Sequence, residues 1–178
     1  MVVGAGIGGL AASLVLSRVA AQVTIVERAE QPAEVGAALA LQPNGMAVLA
    51  RLGLLPGLVA VGGRIDRMDI RNGSGRVLLT TKMPNFGGGL DHAIAVRRTD
   101  LHQLMLTAVT ELSSVQTRFG CTVVSADPDG TVVIKSGSDS GSREPTTLQA
   151  DLVVGADGVN SAVRSTGGFS SRVSAGST

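Results

Sequence analysis

The chain has no tryptophan or tyrosine and only three phenylalanines in 178 residues. Single-stranded nucleic acid is held on aromatic faces set in a basic surface. Neither is present, since 15 lysines and arginines stand against 14 acids for a net charge of +1. No nucleic-acid partner is expected. Cysteine is almost absent too: Cys121 stands alone, which rules out a disulfide within the chain, and its place at the head of an apolar run reads as a buried, inert thiol. One cysteine and two histidines do not assemble a zinc site. The longest apolar stretch, around Ile7 to Leu16, is too short and too rich in glycine to span a bilayer. Met1 opens straight into apolar residues with no basic leader before it. A cytoplasmic protein with no membrane partner is the expectation. An apolar fraction of 44% describes an ordinary globular domain with a sizeable core.

Glycine, by contrast, is plentiful, at 24 residues, and the first of them carry the most information. A short apolar strand, Met1 to Val3, runs into Gly4-Ala5-Gly6-Ile7-Gly8-Gly9. A helix over about 8–21 follows, apolar nearly all round and so expected to be buried on more than one side. Then comes a second strand, Val23-Thr24-Ile25-Val26, ending on Glu27. This is a βαβ unit with G-x-G-x-x-G at its first turn. Gly4 permits the tight turn, Gly6 lets a pyrophosphate approach the backbone, and Gly9 lets the helix pack against the strand. The helix N-terminus offers unpaired N–H groups and partial positive charge to phosphates. Glu27 lies 18 residues beyond Gly9, where a carboxylate accepts hydrogen bonds from the ribose hydroxyls of an adenosine. That acid favours a free 2′-hydroxyl, as in FAD or NAD, over the 2′-phosphate of NADP. The hexapeptide alone is a weak signal; strand, helix and acid together make it a dinucleotide site.

Further along, residues 37–41 read as a short strand, and Met46 to Leu52 as a helix stopped by Gly53 and Pro56. Residues 65–70 and 77–79 flank a glycine-rich turn and form a hairpin, read as part of a second sheet. Thr99 is the expected N-cap of a helix whose apolar face is Leu101, Leu104, Met105, Ala108, Val109 and Leu112. A β-meander follows: residues 122–124, a turn at Asp127-Pro128-Asp129-Gly130, residues 131–134, a polar loop over 136–146, and residues 147–150. Asp151 to Gly155 reads as a central buried parallel strand. Residues 165–178 are mostly serine, glycine and threonine and are expected to be disordered.

Three segments carry a family resemblance. Residues 151–164, DLVVGADGVNSAVR, look like the "DG" fingerprint of class A flavoprotein monooxygenases, the FAD-dependent aromatic hydroxylases of the p-hydroxybenzoate and salicylate hydroxylase type. Ala95 to Leu101 resembles their R-x-x-L segment, and Gly36 to Leu54 also follows their pattern. The resemblance covers roughly residues 1–165. It implies an α/β, Rossmann-like FAD-binding domain over residues 1–60 and 91–164, with part of a second, substrate-side sheet as an excursion over 61–90. Gly4, Gly6, Ile7, Gly8 and Gly9 would cradle the FAD pyrophosphate. Glu27 would bind the adenosine ribose, with Arg28 beside the adenine. Arg98 would reach the cofactor phosphate or ribityl chain, with Arg97 a bystander. Asp157 and Gly158 would sit near the pyrophosphate, and the same segment would contribute to NAD(P)H binding. Arg164 would be structural. Two plainer readings stay open: Arg98 as an exposed helix-start residue, and Asp157 as an N-cap, a role compatible with the first. His92 and His102 are assigned no chemistry.

The implied reaction is hydroxylation of a small, aromatic substrate, with NAD(P)H reducing FAD and O2 supplying the oxygen atom. The family's later G-D segment, which binds the ribityl chain, has no match in residues 165–178. The chain is therefore expected to be the N-terminal half of such an enzyme, inactive alone, and no residue is assigned as catalytic. Another FAD or NAD oxidoreductase of the same fold and a non-catalytic remnant are the alternatives. The substrate, the choice of NADH or NADPH and the oligomeric state are not legible.

Overall fold

Four strands lying parallel to one another form the sheet from which the glycine-rich turn emerges. The computed structural model describes residues 1–19, 22–32, 37–137 and 144–170. The expected features at 20–21, Gly36, 138–143 and 171–178 lie outside the described residues. The chain divides into two compact units, Met1–Ala33 with Val109–Thr178, and Glu34–Ala108.

In the first unit, β1 (Val2–Val3), β2 (Val23–Val26), β8 (Val115–Arg118) and β12 (Val154–Gly155) stand in the order β12-β1-β2-β8. Every pairing among them is parallel: Val2 faces both Ile25 and Val154, and Val23 faces Val115. Val2, Val3, Ile25 and Val26 are almost wholly buried, which removes their branched side chains from water and anchors the sheet. Helix α1 (Ile7–Leu16) packs on it through Gly9, Leu10, Ser13 and Leu14.

Two expectations for this region need correction. The helix ends at Leu16, because successive N–H groups of Arg18 and Val19 bond to carbonyls three residues back and tighten the last turn. It is also not buried on several sides, since Val15 is half exposed and Val19, just past its end, almost fully so. Likewise Asp151 to Gly155 is not a central buried strand. Only Val154–Gly155 pair, β12 stands at one end of the sheet, and Leu152 is 56% exposed.

The meander forms as expected from β9 (Cys121–Ala126), β10 (Thr131–Ser136) and β11 (Thr146–Gln149), all antiparallel. Cys121, Val123, Ala126, Val132 and Ile134 form a core with Val3, Val26 and Val163. Cys121 is buried there, its Sγ 3.5 Å from the Phe119 carbonyl oxygen. Helix α5 (Ala162–Thr166) closes the unit and takes in Ser165 and Thr166, the first residues of the stretch expected to be disordered. Thr166 Oγ1 accepts from the Ala126 N–H at 2.9 Å, which ties the helix to the end of β9.

The second unit holds α2 (Pro43–Arg51), α3 (Leu55–Val61) and most of α4 (Arg98–Thr110). Its antiparallel sheet runs β3-β7-β4, from β3 (Ala38–Leu41), β7 (Ala93–Arg97) and β4 (Gly63–Ile65). A ribbon of β5 (Arg67–Arg71) and β6 (Val77–Lys82) stands as a two-stranded sheet. The α4 face follows the expected spacing, with Leu101, Met105 and Val109 fully buried. Thr99 is not its N-cap: β7 passes directly into α4 at Arg98, which leaves Thr99 inside the first turn.

Candidate functional site

The glycine-rich turn is fixed from two directions. The Gly4 N–H donates to the Val26 carbonyl at 2.8 Å, which ties it to the end of β2. Gly4 has φ +99°, in the left-handed region, and a β-carbon placed on it would lie 2.5 Å from the Ala156 carbonyl oxygen. A β-carbon on Gly9 would lie 1.9 Å from the Gly4 carbonyl oxygen. The protein's own packing therefore demands glycine at both positions, one because of the neighbouring segment after β12 and the other because α1 sits so close to the turn.

Gly6 and Gly8 are different. Gly6 is the N-cap of α1, with φ −72° and ψ 178°, an extended conformation that any residue adopts. Gly8 lies in the first turn of the helix, where glycine costs about 1 kcal/mol relative to alanine. A β-carbon on either would meet nothing within 4 Å. Neither backbone strain nor packing explains these two glycines. They leave an open, unlined space against the start of α1, where no side chain caps the helix and no acid occupies its first turn. The first N–H groups of a helix have no partner within it and carry its positive end. Ile7 is the first residue of that helix, between the two open glycines.

Glu27 borders the same turn. Its Oε2 accepts the Ala5 N–H at 2.7 Å and its Oε1 accepts the Ala29 N–H at 2.9 Å. The Glu27 backbone is held in turn by the Arg118 carbonyl and the Cys121 N–H, both at 2.9 Å. Arg28, the next residue, is exposed.

The segment after β12 is a capped turn. Asp157 Oδ1 accepts the Ser161 hydroxyl at 2.6 Å, and Oδ2 accepts the N–H groups of Ala162 at 2.7 Å and Val163 at 3.2 Å. Ser161 Oγ accepts the Arg164 N–H at 3.0 Å. Ser161 is the N-cap of α5, and Asp157, four residues earlier, accepts two further N–H groups of its first turn. Asp157 is therefore not itself the N-cap, because the chain does not become helical until Ala162. Arg164 bonds to the Val159 carbonyl inside the same segment. Gly158 turns the chain with φ +82°. Sequence reasoning placed Ser161 inside a helix capped by Asp157 and did not single out Ala156, whereas Ser161 is where the helix begins.

Arg98 belongs to the second unit, at the first position of α4, with its N–H on the Ala37 carbonyl at 3.1 Å. Its neighbour Arg97 pairs through Nε with Asp100 at 2.7 Å. Among the described residues the exposed Arg98 guanidinium makes no hydrogen bond or ion pair. His92 takes part in a surface network with Arg64 and Asp91. Among the described residues no group of three or more histidines, cysteines, aspartates or glutamates is placed to hold a metal, and no helix is long and apolar enough to cross a membrane.

A parallel sheet with a glycine turn at the first strand end, an open helix start and a carboxylate at the second strand end defines a dinucleotide-binding domain of the Rossmann type. The chain belongs to the FAD binding domain family, whose model matches residues 1–178. It is 35% identical over 166 residues to 3-amino-4-hydroxybenzoate 2-monooxygenase of Streptomyces cremeus, covering 92% of this chain and 40% of that protein. It is 32% identical over 167 residues to 6-hydroxynicotinate 3-monooxygenase of Pseudomonas fluorescens, covering 92% of this chain and 41% of that one. Among solved structures, the tetrameric form of 2-methyl-3-hydroxypyridine-5-carboxylic acid oxygenase superposes with a TM-score of 0.79 at 28% identity, covering 95% of this chain and 42% of its own. The chain spans about 40% of the length of the curated relatives it matches.

Proposed function

We propose that this chain supplies the FAD-binding portion of a flavin-dependent monooxygenase that hydroxylates a small aromatic substrate with NAD(P)H and O2. The observation that carries the cofactor assignment is the pair Gly6 and Gly8. Both lack a side chain where neither φ nor packing requires it, and a β-carbon on either would point into open space at an uncapped helix start. A pyrophosphate needs such a cradle: room for the backbone to approach, and N–H donors aimed outward. The residues present fit the group.

In this reading Gly4, Gly6, Ile7, Gly8 and Gly9 present the turn and the α1 N–H groups to the two phosphates. Glu27 accepts the ribose hydroxyls, and Arg28 lies beside the adenine. Arg98 offers its guanidinium to the cofactor phosphate or ribityl chain. Asp157 and Gly158 hold the capped turn whose carbonyl, at Ala156, presses on Gly4, so their part is to shape the cradle from behind. FAD, when bound, supplies the redox chemistry through which NAD(P)H and O2 are used. The chain's own residues bind and orient it, and none is proposed to move a proton or attack the substrate. The aromatic substrate is supported by the relatives, whose names specify monooxygenases of 3-amino-4-hydroxybenzoate and 6-hydroxynicotinate. The described portion alone is proposed to bind FAD without turning over.

Equilibrium dialysis of the purified chain against FAD tests this. Saturable retention of one flavin per chain is expected, with no NAD(P)H-driven O2 consumption. A folded chain that retains no flavin overturns the cofactor assignment, and substrate-stimulated turnover overturns the claim that this portion is inactive alone.

A further inference from the structure

We propose that Glu27 is a positioning residue for the glycine-rich turn: its carboxylate fixes the turn in the phosphate-receiving conformation before any nucleotide arrives. The inference rests on the FAD reading for what the turn receives, but not for the clamp itself.

The argument starts from the two carboxylate oxygens. One accepts the Ala5 N–H at 2.7 Å and the other the Ala29 N–H at 2.9 Å. Bonds from N–H groups to an ionised carboxylate are roughly twice as strong as those between neutral partners. Ala5 lies between Gly4 and Gly6, in the middle of the turn. Its N–H is 22 residues away in sequence from the acid that holds it, so the bond joins the β1–α1 turn to the end of β2. Ala29 extends the chain of contacts, because its carbonyl accepts the Gly120 N–H at 2.9 Å. One side chain therefore ties together the glycine turn, the loop after β2 and the turn between β8 and β9.

This clamp matters because of what surrounds it. A β-carbon on Gly6 or Gly8 would meet nothing within 4 Å, so no side-chain packing holds the turn at those positions. Glycine also loses more freedom on ordering than any other residue. Among the described residues no side chain caps the helix start. The Ala5 bond is a side-chain contact that reaches into the turn itself. A carboxylate has roughly four lone-pair sites, and two N–H donors use half of them. The remainder is available to ribose hydroxyls, so the clamp and the proposed ribose contact are compatible in one residue.

The substitution Glu27→Gln separates the roles. Glutamine keeps the shape but carries one carbonyl oxygen and one NH2, so either Ala5 or Ala29 would face a donor with its own N–H. The experiment is NMR on the ligand-free, full-length chain. In the wild type, through-hydrogen-bond couplings from the Glu27 carboxylate carbon to the amide nitrogens of Ala5 and Ala29 are expected. Their exchange with solvent should be at least about tenfold slower than that of the Gly6 and Gly8 amides. In Glu27→Gln, protection should fall at whichever of Ala5 and Ala29 faces the NH2, and in Glu27→Ala at both, while the amides of Ile25 and Leu14 stay protected. Absence of the coupling to Ala5 in the wild type overturns the proposal, whatever becomes of the variant. So does a folded Glu27→Ala chain in which Ala5 keeps its protection. Because these readouts need no flavin, failure to retain FAD would sink the cofactor reading and leave this result standing.

Discussion

Gly4 and Ala156 are in contact through backbone alone: a β-carbon added to Gly4 would lie 2.5 Å from the Ala156 carbonyl oxygen. The first turn of the chain and the segment after its last sheet strand therefore press on each other, and each limits the residues the other can use. That relationship separates the glycines of the motif into two kinds, those the fold requires and those it does not.

Gly4→Ala and Gly9→Ala are expected to destabilise the fold. At Gly4 the left-handed backbone alone costs roughly 1–2 kcal/mol, and the contact with Ala156 adds to it. At Gly9 the added carbon would overlap the Gly4 carbonyl oxygen at 1.9 Å. Chemical denaturation should give a loss of about 2 kcal/mol or more for either variant; a loss within experimental error would contradict the close approach.

Gly6→Ala should leave stability within about 0.5 kcal/mol of the parent, as for a surface change that strains nothing. Its effect should appear in FAD affinity instead, as a drop of at least about tenfold, or about 1.4 kcal/mol. Equal FAD binding by the two proteins would remove Gly6 from the phosphate cradle.

Asp157→Ala removes the acceptor of three hydrogen bonds at the start of α5. Lost caps cost about 0.5–2 kcal/mol. The upper part of that range is expected, because Thr166 at the other end of the same helix holds the end of β9. Thermal unfolding followed by circular dichroism would measure it.

Arg98→Ala and Arg97→Ala should behave differently. Arg97 sits in an exposed pair with Asp100, a type of contact that contributes about 0–1 kcal/mol. Its loss should leave FAD affinity unchanged. Arg98→Ala should weaken FAD binding without lowering the melting temperature. Parallel losses of affinity in both variants would mean that general charge, not a placed guanidinium, is what matters.

The β5–β6 ribbon offers a pH test. A hydrogen bond from the Thr80 hydroxyl, helped by Arg71 and Arg67, holds the Asp69 carboxyl below its ordinary value of 3.8. A carboxylate depressed in the folded state stabilises it above the ordinary value, and that contribution disappears as the pH falls below 3.8 through the depressed one. The Asp69 side-chain carbon should titrate below 3.8, and Thr80→Val should bring it back up. A midpoint at or above 3.8 in the parent would contradict the assignment of Thr80 as donor.

The βαβ start was legible because each of its parts is a local signal: an apolar strand, glycines at fixed offsets, then an apolar strand ending in an acid. The meander was legible for the same reason, its strands being set off by Asp127-Pro128-Asp129-Gly130. Strand β8 was not, because Val-Gln-Thr-Arg alternates apolar and polar residues over too short a run and becomes a strand only beside β2. Helix α3 escaped notice because Pro56 reads as a stop, yet it occupies the first turn, where its missing N–H costs nothing. Asp151 to Gly155 misled in the opposite direction, since an apolar run predicts burial but not how many neighbours a strand has. At the site, the glycines and Glu27 could be named from spacing, whereas the Glu27 bond to Ala5 could not. That bond depends on how the turn folds back over β2, which no local pattern encodes.

The pairing of Val2 with Val154 sets an order of events during synthesis. Strand β1 has one neighbour, β2, close in sequence, and its other, β12, is made far later. Contacts so distant in sequence form slowly, and exposed strand edges invite aggregation in the interval. The cradle turn, pressed into shape by Ala156, therefore takes its final form late, when residues far apart in sequence meet.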